Sequence, residues 1–74
     1  MHSRFDRLKA RLDPSRIAFV KFILEGYDHL AQLSTVDRTS GEIVFRFHPA
    51  RRETLFQLLD ELQIEYDRRK PEIS

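Results

Sequence analysis

The chain has 74 residues, a formal net charge of +1, 41% hydrophobic residues and no cysteine. A chain of this length forms one small domain, which buries only roughly 60% of the surface that its unfolded chain exposes. Without cysteine it has neither disulfides nor thiolate metal sites, which fits a reducing cytoplasm. Its longest apolar run is far shorter than the ~18 residues of a membrane span, and no apolar leader follows the N-terminus. We therefore expect a cytoplasmic protein and no membrane partner.

The small net charge conceals an uneven distribution. Residues 1–21 carry a net charge of +4, residues 22–67 carry −5, and residues 68–74 carry +2. The overall balance predicts no general attraction to nucleic acid, but local basic surfaces are available.

The first predicted element is a strand over residues 7–12, where charged and apolar residues alternate strictly. Period two places Leu8, Ala10 and Leu12 on one face, as in a half-buried strand. The opposite face carries three cations, Arg7, Lys9 and Arg11. A helix is the alternative for this segment, because Leu8 and Leu12 are four residues apart and Phe5 precedes Leu8 by three.

The most apolar stretch, residues 17–28, predicts the first helix. Asp13 is a suitable N-cap and Pro14 suits the first helical position, while Gly26 can supply the left-handed residue that ends many helices. The alternative for residues 17–24 is a buried strand, because the run is rich in phenylalanine and β-branched residues. The flanking residues favour the helix.

A helix over this stretch is apolar on nearly all sides, which is typical of a helix buried on more than one side. Phe19 and Phe22 then lie away from the line through Val20 and Leu24. We therefore predict that Phe19 and Phe22 contact a second copy of the chain.

The remainder of the chain predicts two more strands, a helix and a short final strand. Residues 30–36 form the second strand, and the turn at 37–41 contains Asp37 and Gly41, which suit tight turns. The third strand covers 42–48, with its three apolar residues on one face and Val44, Arg46 and His48 on the other. Pro49 begins a second helix with one leucine stripe, and residues 64–66 form the last strand. The inward residues of the third strand are Ile43, Phe45 and Phe47.

This order, βαββαβ, predicts an α+β sandwich in which a four-stranded antiparallel sheet carries both helices on one face. This ferredoxin-like arrangement is also that of the ACT domains and the RNA-recognition motif. The first and third strands are expected side by side at its centre. We expect residues 1–74 to form one domain, frayed at 1–5 and 68–74. No internal sequence repeat of useful strength is evident.

The run IAFVKFILEGYDHLAQLSTVDRTSGEIVFRF, followed by a short leucine-rich helix, resembles domain-of-unknown-function family 4911, a group of small bacterial proteins. The resemblance covers about residues 13–62, and FILEGYD followed by STVD are its most recognisable parts. The family implies no assigned activity, ligand or catalytic residue. Its usual pattern has glycine where this chain has His29, so any special backbone geometry there is in doubt.

No residue combination in the sequence predicts catalysis or a metal site. Tyr27, Asp28 and His29 place an acid beside an imidazole, but no serine or cysteine is aligned with them as a nucleophile. His2 and His48 lie too far from His29 in sequence to have metal-ligand spacing. The acidic cluster of residues 60–67 lacks the alternating oxygen ligands of a calcium loop. We expect no enzyme, no metal and no cofactor.

Two basic features carry competing interpretations. In the predicted sheet Arg7, Lys9 and Arg11 lie beside Arg46 on the face that the helices leave open. This face suits the binding of phosphate or of an acidic partner, but solvated cations that merely keep the sheet soluble are the favoured explanation. His48, Arg51 and Arg52 at the start of the second helix suit a small anion, or they are exposed charges that oppose the helix dipole at a small cost.

These features support two hypotheses. The first is a dimeric ACT-like regulatory or adaptor module that takes an anionic ligand near a subunit interface, and the alternative is a nucleic-acid-binding protein.

Overall fold

The computed structural model of the chain describes residues 5–66. Within them, four strands and two α-helices alternate in the predicted order, and a short 3₁₀ turn precedes each helix. The elements are β1 (Asp6–Arg11), a 3₁₀ turn (Pro14–Arg16), α1 (Ile17–Gly26), β2 (Gln32–Asp37), β3 (Glu42–Phe47), a second 3₁₀ turn (Pro49–Arg51), α2 (Arg52–Glu61) and β4 (Glu65–Tyr66). The predicted fraying of residues 1–4 and 68–74 lies outside the described residues.

The four strands form one antiparallel sheet in the order β2-β3-β1-β4. The first and third strands therefore lie at the centre, as predicted, and the fold is the expected α+β ferredoxin-like sandwich. Strict alternation fixes the register, because Leu8 pairs with Phe45 and Ala10 with Ile43 on the face that packs against the helices.

A single core fills the space between the sheet and the helices. Residues of α1, α2 and the inner face of the sheet all join one buried cluster, with Phe45 and Val20 fully buried. Phe47 stacks edge-on against Phe56 of α2, and Phe56 contacts the ring of Tyr66 with centroids 5.1 Å apart. These aromatic contacts attach the two-residue strand β4 to the rest of the domain.

Both helices begin in the way that their sequences predict, with an intervening 3₁₀ turn. The Asp13 carboxylate accepts hydrogen bonds from the backbone N–H and the hydroxyl of Ser15, both at 2.9 Å. The backbone hydrogen bond first, and the hydroxyl second, lower the pKa of Asp13 from its ordinary value. At the second helix, Nδ1 of His48 accepts from the backbone N–H of Ala50 at 3.1 Å.

The prediction that Gly26 supplies a left-handed C-terminal residue is wrong. Gly26 is the last residue of α1, and the positive φ angles fall on Asp28 (63°) and His29 (56°). Aspartate and histidine tolerate left-handed backbone better than most residues other than glycine. His29 therefore adopts left-handed backbone although it is not a glycine.

Helix α1 is buried on one side only within the described chain. Val20 and Leu24 are buried, while Phe19 is 53% exposed and Phe22 is 72% exposed. Tyr27, the residue after the last residue of α1, is 44% exposed.

Strand β2 begins two residues later than predicted and ends at Asp37. A bulge between Thr35 and Asp37 interrupts its pairing with β3 and leaves Val36 61% exposed. The following turn has the predicted chemistry, because Asp37 accepts from the backbone N–H of Thr39 and Gly41 adopts a φ of 80°.

Candidate functional site

Four cations, Arg7, Lys9, Arg11 and Arg46, lie on the face of the sheet opposite the helices, which we call the open face. Arg7 of β1 is paired directly with Arg46 of β3, and Lys9 lies beside Val44. Like charges placed directly opposite each other on neighbouring strands are destabilising. The register confirms the prediction that these cations share one face, and it also places Arg7 directly beside Arg46.

An aromatic residue that the sequence interpretation did not use completes this end of the open face. Phe5 is 47% exposed, and its ring lies under the guanidinium of Arg46, 4.9 Å from the ring centroid. Such a contact stabilises the stacked geometry modestly at an exposed site. The signal was available, since Phe5 extends the alternation of Arg7, Lys9 and Arg11 by one step. Assigning residues 1–5 to a frayed end concealed it.

The other end of the open face has mixed charge. Arg11 is paired with Glu42 on one neighbouring strand and with Glu65 on the other. A shallow groove of about 380 Å³ lies between these residues and also contacts Val36. Among residues 5–66, none of the four open-face cations Arg7, Lys9, Arg11 and Arg46 lies within ion-pair distance of a carboxylate. The end that carries Arg7 and Arg46 is thus the more attractive one for an anion.

The three residues proposed for an anion at the start of α2 do not converge on one point. Arg51 donates from Nη2 to the backbone carbonyl of Tyr27 at 3.1 Å, and His48 caps the 3₁₀ turn. Arg52 points elsewhere, with its guanidinium 3.6 Å from the Asp6 carboxylate and 5.9 Å from the Phe56 ring centroid.

Arg51 and His48 do, however, line a second groove of about 540 Å³ between the C-terminal half of α1 and the end of β3. Its wall also includes Lys21, His29 and Arg46, and among residues 5–66 Glu25 is the one carboxylate that lines it. We call this the basic groove. Because Arg46 and Phe5 belong to it as well, it is continuous with the basic end of the open face.

Of the remaining candidates from the sequence, His2 and Asp67 lie outside the described residues. Asp28 and His29 follow the end of α1 on exposed, left-handed backbone. Among residues 5–66 no group of three or more histidine, aspartate or glutamate side chains is arranged to hold a metal ion. In the acidic cluster, Asp60 accepts a hydrogen bond from the Tyr66 hydroxyl at 3.1 Å and so anchors β4. No helix in this part of the chain is long and apolar enough to cross a membrane.

Comparison with known families gives a match that covers the residues forming this fold. The model of the family described as Domain of unknown function (DUF4911) matches residues 10–65, from β1 to β4. The chain belongs to the DUF4911 family. This match confirms the resemblance carried by FILEGYD and STVD, which lie at the end of α1 and in β2. No curated protein and no solved structure matches the chain.

Proposed function

We propose that this DUF4911 chain is a non-catalytic, ACT-like regulatory or adaptor module that works as a homodimer and binds a small anionic ligand. The observation that carries the proposal is the exposure of two phenylalanines on α1, on the side opposite its buried residues. Exposed aromatic residues in neighbouring helical turns are typical of interaction surfaces.

The size of this surface fits the centre of an interface. Each phenylalanine side chain has about 150–250 Å² to bury, so Phe19 and Phe22 together offer on the order of 250 Å². A standard interface buries about 800 Å² per partner, and aromatic residues at its centre contribute much of the affinity. Phe19 and Phe22 would be that centre, with polar neighbours on α1 as the rim.

Size-exclusion chromatography with light scattering tests the homodimer. We expect the parent chain to elute as a dimer at micromolar concentration and a Phe19→Ser/Phe22→Ser variant to elute as a folded monomer. A Thr54→Ser/Gln57→Ser variant changes two exposed positions of α2 and should remain dimeric. A parent chain that is monomeric at micromolar concentration would remove the main support for the proposal.

The basic groove is the best candidate for the anionic ligand. It brings the side chains of Lys21, Arg46, His48 and Arg51 around one depression. Titration with inorganic phosphate, followed by NMR chemical shifts, should move the resonances of Lys21 and His48, which also line the groove. An Arg46→Gln/Arg51→Gln variant should lose this response, whereas Arg38→Gln, in the exposed turn after β2, should keep it. Equal responses in both variants would contradict the groove as the site.

Nucleic-acid binding is the second candidate function, supported by the pairing of Arg7 with Arg46 on the open face. Arg7 and Arg46 make no ion pair within residues 5–66, and beside the exposed ring of Phe5 they suit a phosphate backbone with one stacked base. The inward orientation of every phenylalanine of β3 argues against sequence-specific recognition of the RNA-recognition-motif type.

Fluorescence polarisation with single-stranded RNA and DNA oligonucleotides tests this candidate. Binding should weaken steeply as salt is raised, and an Arg7→Ala/Lys9→Ala/Arg11→Ala variant should bind at least tenfold more weakly. The single variant Arg38→Ala removes a cation from the turn after β2 and should bind as tightly as the parent chain. If the triple variant binds oligonucleotides as tightly as the parent chain, the open face is not a nucleic-acid site.

A further inference from the structure

The exposed side of α1 has a centre, and that centre is Phe22. Successive residues of an α-helix are rotated by about 100°, so Phe22 points about 180° away from the midpoint between Val20 and Leu24. Val20 and Leu24 are the two fully packed residues of the helix. Phe22 is therefore the residue of α1 that projects furthest from the core, in agreement with its exposed fraction of 72%.

Small residues lie one turn before and one turn after Phe22 on the same side. Ala18 and Gly26 are both exposed, and a Cβ built on Gly26 would meet nothing within 4 Å. Small residues at matched distances from a central aromatic ring allow the backbone of another helix to approach closely.

The two edges of this surface differ in character. Lys21 and Glu25 lie on one edge, since both line the basic groove. Phe19 lies on the other edge, rotated about 60° from Phe22. The surface is thus a row of small and aromatic residues with a charged edge and an apolar edge.

We propose that the homodimer, on which this inference rests, forms by antiparallel pairing of α1 with α1 about a two-fold axis at Phe22. In this arrangement Phe22 meets Phe22 of the partner subunit, and Ala18 lies against Gly26 of the partner subunit. About the same axis, Lys21 and Glu25 of the partner subunit lie at nearly the same height along the helix. Their heights differ by about 3 Å. Two equivalent ion pairs therefore flank the aromatic centre.

An antiparallel pair suits this surface better than a parallel one. A two-fold axis perpendicular to the helices keeps like edges together, so that the charged edges meet and the apolar edges meet. A parallel pair would place the Lys21–Glu25 edge against Phe19 of the partner subunit and leave both charges without a partner. The order of the charges along α1 thus distinguishes the two arrangements.

Charge reversal tests the pairing without removing apolar surface. In a Lys21→Glu homodimer each introduced carboxylate faces Glu25 of the partner subunit, and in a Glu25→Lys homodimer each introduced ammonium faces Lys21 of the partner subunit. Sedimentation equilibrium should show that either variant alone dimerises roughly tenfold more weakly than the parent chain. An equimolar mixture of the two should form heterodimers, detected by native mass spectrometry, because every facing pair is then complementary.

A second variant tests the close approach of the two helices. Leucine is a better helix former than glycine, so Gly26→Leu should leave α1 folded while its side chain separates the paired helices. We expect a monomer with an unchanged far-ultraviolet circular dichroism spectrum. Gln57→Leu on the exposed side of α2 is the matched control and should remain dimeric.

The outcomes separate the pairing from the homodimer itself. A monomeric parent chain overturns both. A parent dimer that is unaffected by charge reversal and by Gly26→Leu keeps the homodimer and overturns the α1 pairing. Failure of the two charge variants to form heterodimers overturns the pairing as well, whereas weakened homodimers with a restored heterodimer support it.

Discussion

Arg16 and Arg51 make equivalent hydrogen bonds at opposite ends of the helical layer. Arg16 donates from Nη2 to the backbone carbonyl of Leu62, just after α2, at 3.3 Å. Arg51 donates from Nη2 to the backbone carbonyl of Tyr27, just after α1, at 3.1 Å. Each arginine ends the 3₁₀ turn before its own helix, so each helix start is tied to the end of the other helix. The carbonyl of the residue that follows each helix receives a charged donor in this way, while backbone N–H groups satisfy carbonyls of the last helical turns.

Arg51 follows Arg16 by 35 residues, and Leu62 follows Tyr27 by the same number. This spacing of 35 residues relates other features of the two halves as well. It separates the cap residues Asp13 and His48, and the positive-φ residues Asp28 and Gln63. The buried positions of α1 and α2 follow it as well. These pairs are Val20 with Leu55 and Leu24 with Leu59. The domain is therefore built from two similar strand–helix halves, although the residues at equivalent positions mostly differ in type.

Replacing either arginine by methionine should destabilise the domain while keeping the apolar part of the side chain. Hydrogen bonds from charged donors stabilise by roughly 1.5–3 kcal/mol when shielded, and less when exposed. We expect Arg16→Met, whose bond is partly buried, to lower the free energy of unfolding by about 1–2 kcal/mol. Arg51→Met, with an exposed bond, should lower it by about 0.5–1 kcal/mol. Urea denaturation measures both.

The control for these variants is Arg38→Met in the exposed turn after β2, which should change stability by less than about 0.5 kcal/mol. Equal stability of Arg16→Met and Arg38→Met would show that the bond to Leu62 contributes nothing.

Gly41 should tolerate no side chain. Its φ of 80° disfavours any other residue, and a Cβ there would lie 2.2 Å from the carbonyl oxygen of Leu12. Because the Leu12 N–H also donates to the Gly41 carbonyl at 2.8 Å, neither segment can move apart without losing that bond. We expect Gly41→Ala to lower the free energy of unfolding by at least about 2 kcal/mol, measured by urea denaturation.

Gly26→Ala is the matched control, since these are the two glycines of the chain. Gly26 has helical backbone and open space around its Cβ position, so alanine should raise stability by about 0.5–1 kcal/mol. The opposite ranking of the two variants would contradict the backbone geometry described for both.

The sequence predicts the fold well because its strongest signals are local and agree with one another. Alternation in residues 7–12 and 42–47 determines both faces of the central strands, and a proline marks each helix start. What the sequence does not predict depends on contacts distant in the chain. The crossed hydrogen bonds of Arg16 and Arg51 are of this kind. The equivalence of the two halves was hidden because cap and core roles repeat while residue types change.

His29 should be replaceable by glycine with a gain in stability. Its φ of 56° is left-handed, a conformation that costs most L-residues about 1–2 kcal/mol and glycine almost nothing. After the extra entropy of glycine in the unfolded chain is subtracted, His29→Gly should raise the free energy of unfolding by about 0.5–1 kcal/mol. Thermal and urea denaturation measure the change. Gln57→Gly, within α2, should instead lower stability by about 1 kcal/mol, and a loss in both variants would show that the His29 side chain contributes a contact of its own.

The cap at Asp13 should make stability fall in acid. Hydrogen bonds from Ser15 lower the pKa of Asp13 in the folded chain below its ordinary value of 3.8, so the folded state favours the ionised carboxylate. This contribution is complete above the unfolded pKa and is lost as pH falls through the lower, folded pKa. We expect the stability difference between the parent chain and Asp13→Asn to shrink as pH falls below about 4, and NMR titration of the carboxyl carbon to give a pKa below 3.8. Ser15→Ala removes the hydroxyl donor and retains the backbone donor, so it should raise the pKa of Asp13 part of the way back. A pKa of Asp13 at or above 3.8 in the parent chain would mean that the cap does not favour the charged form.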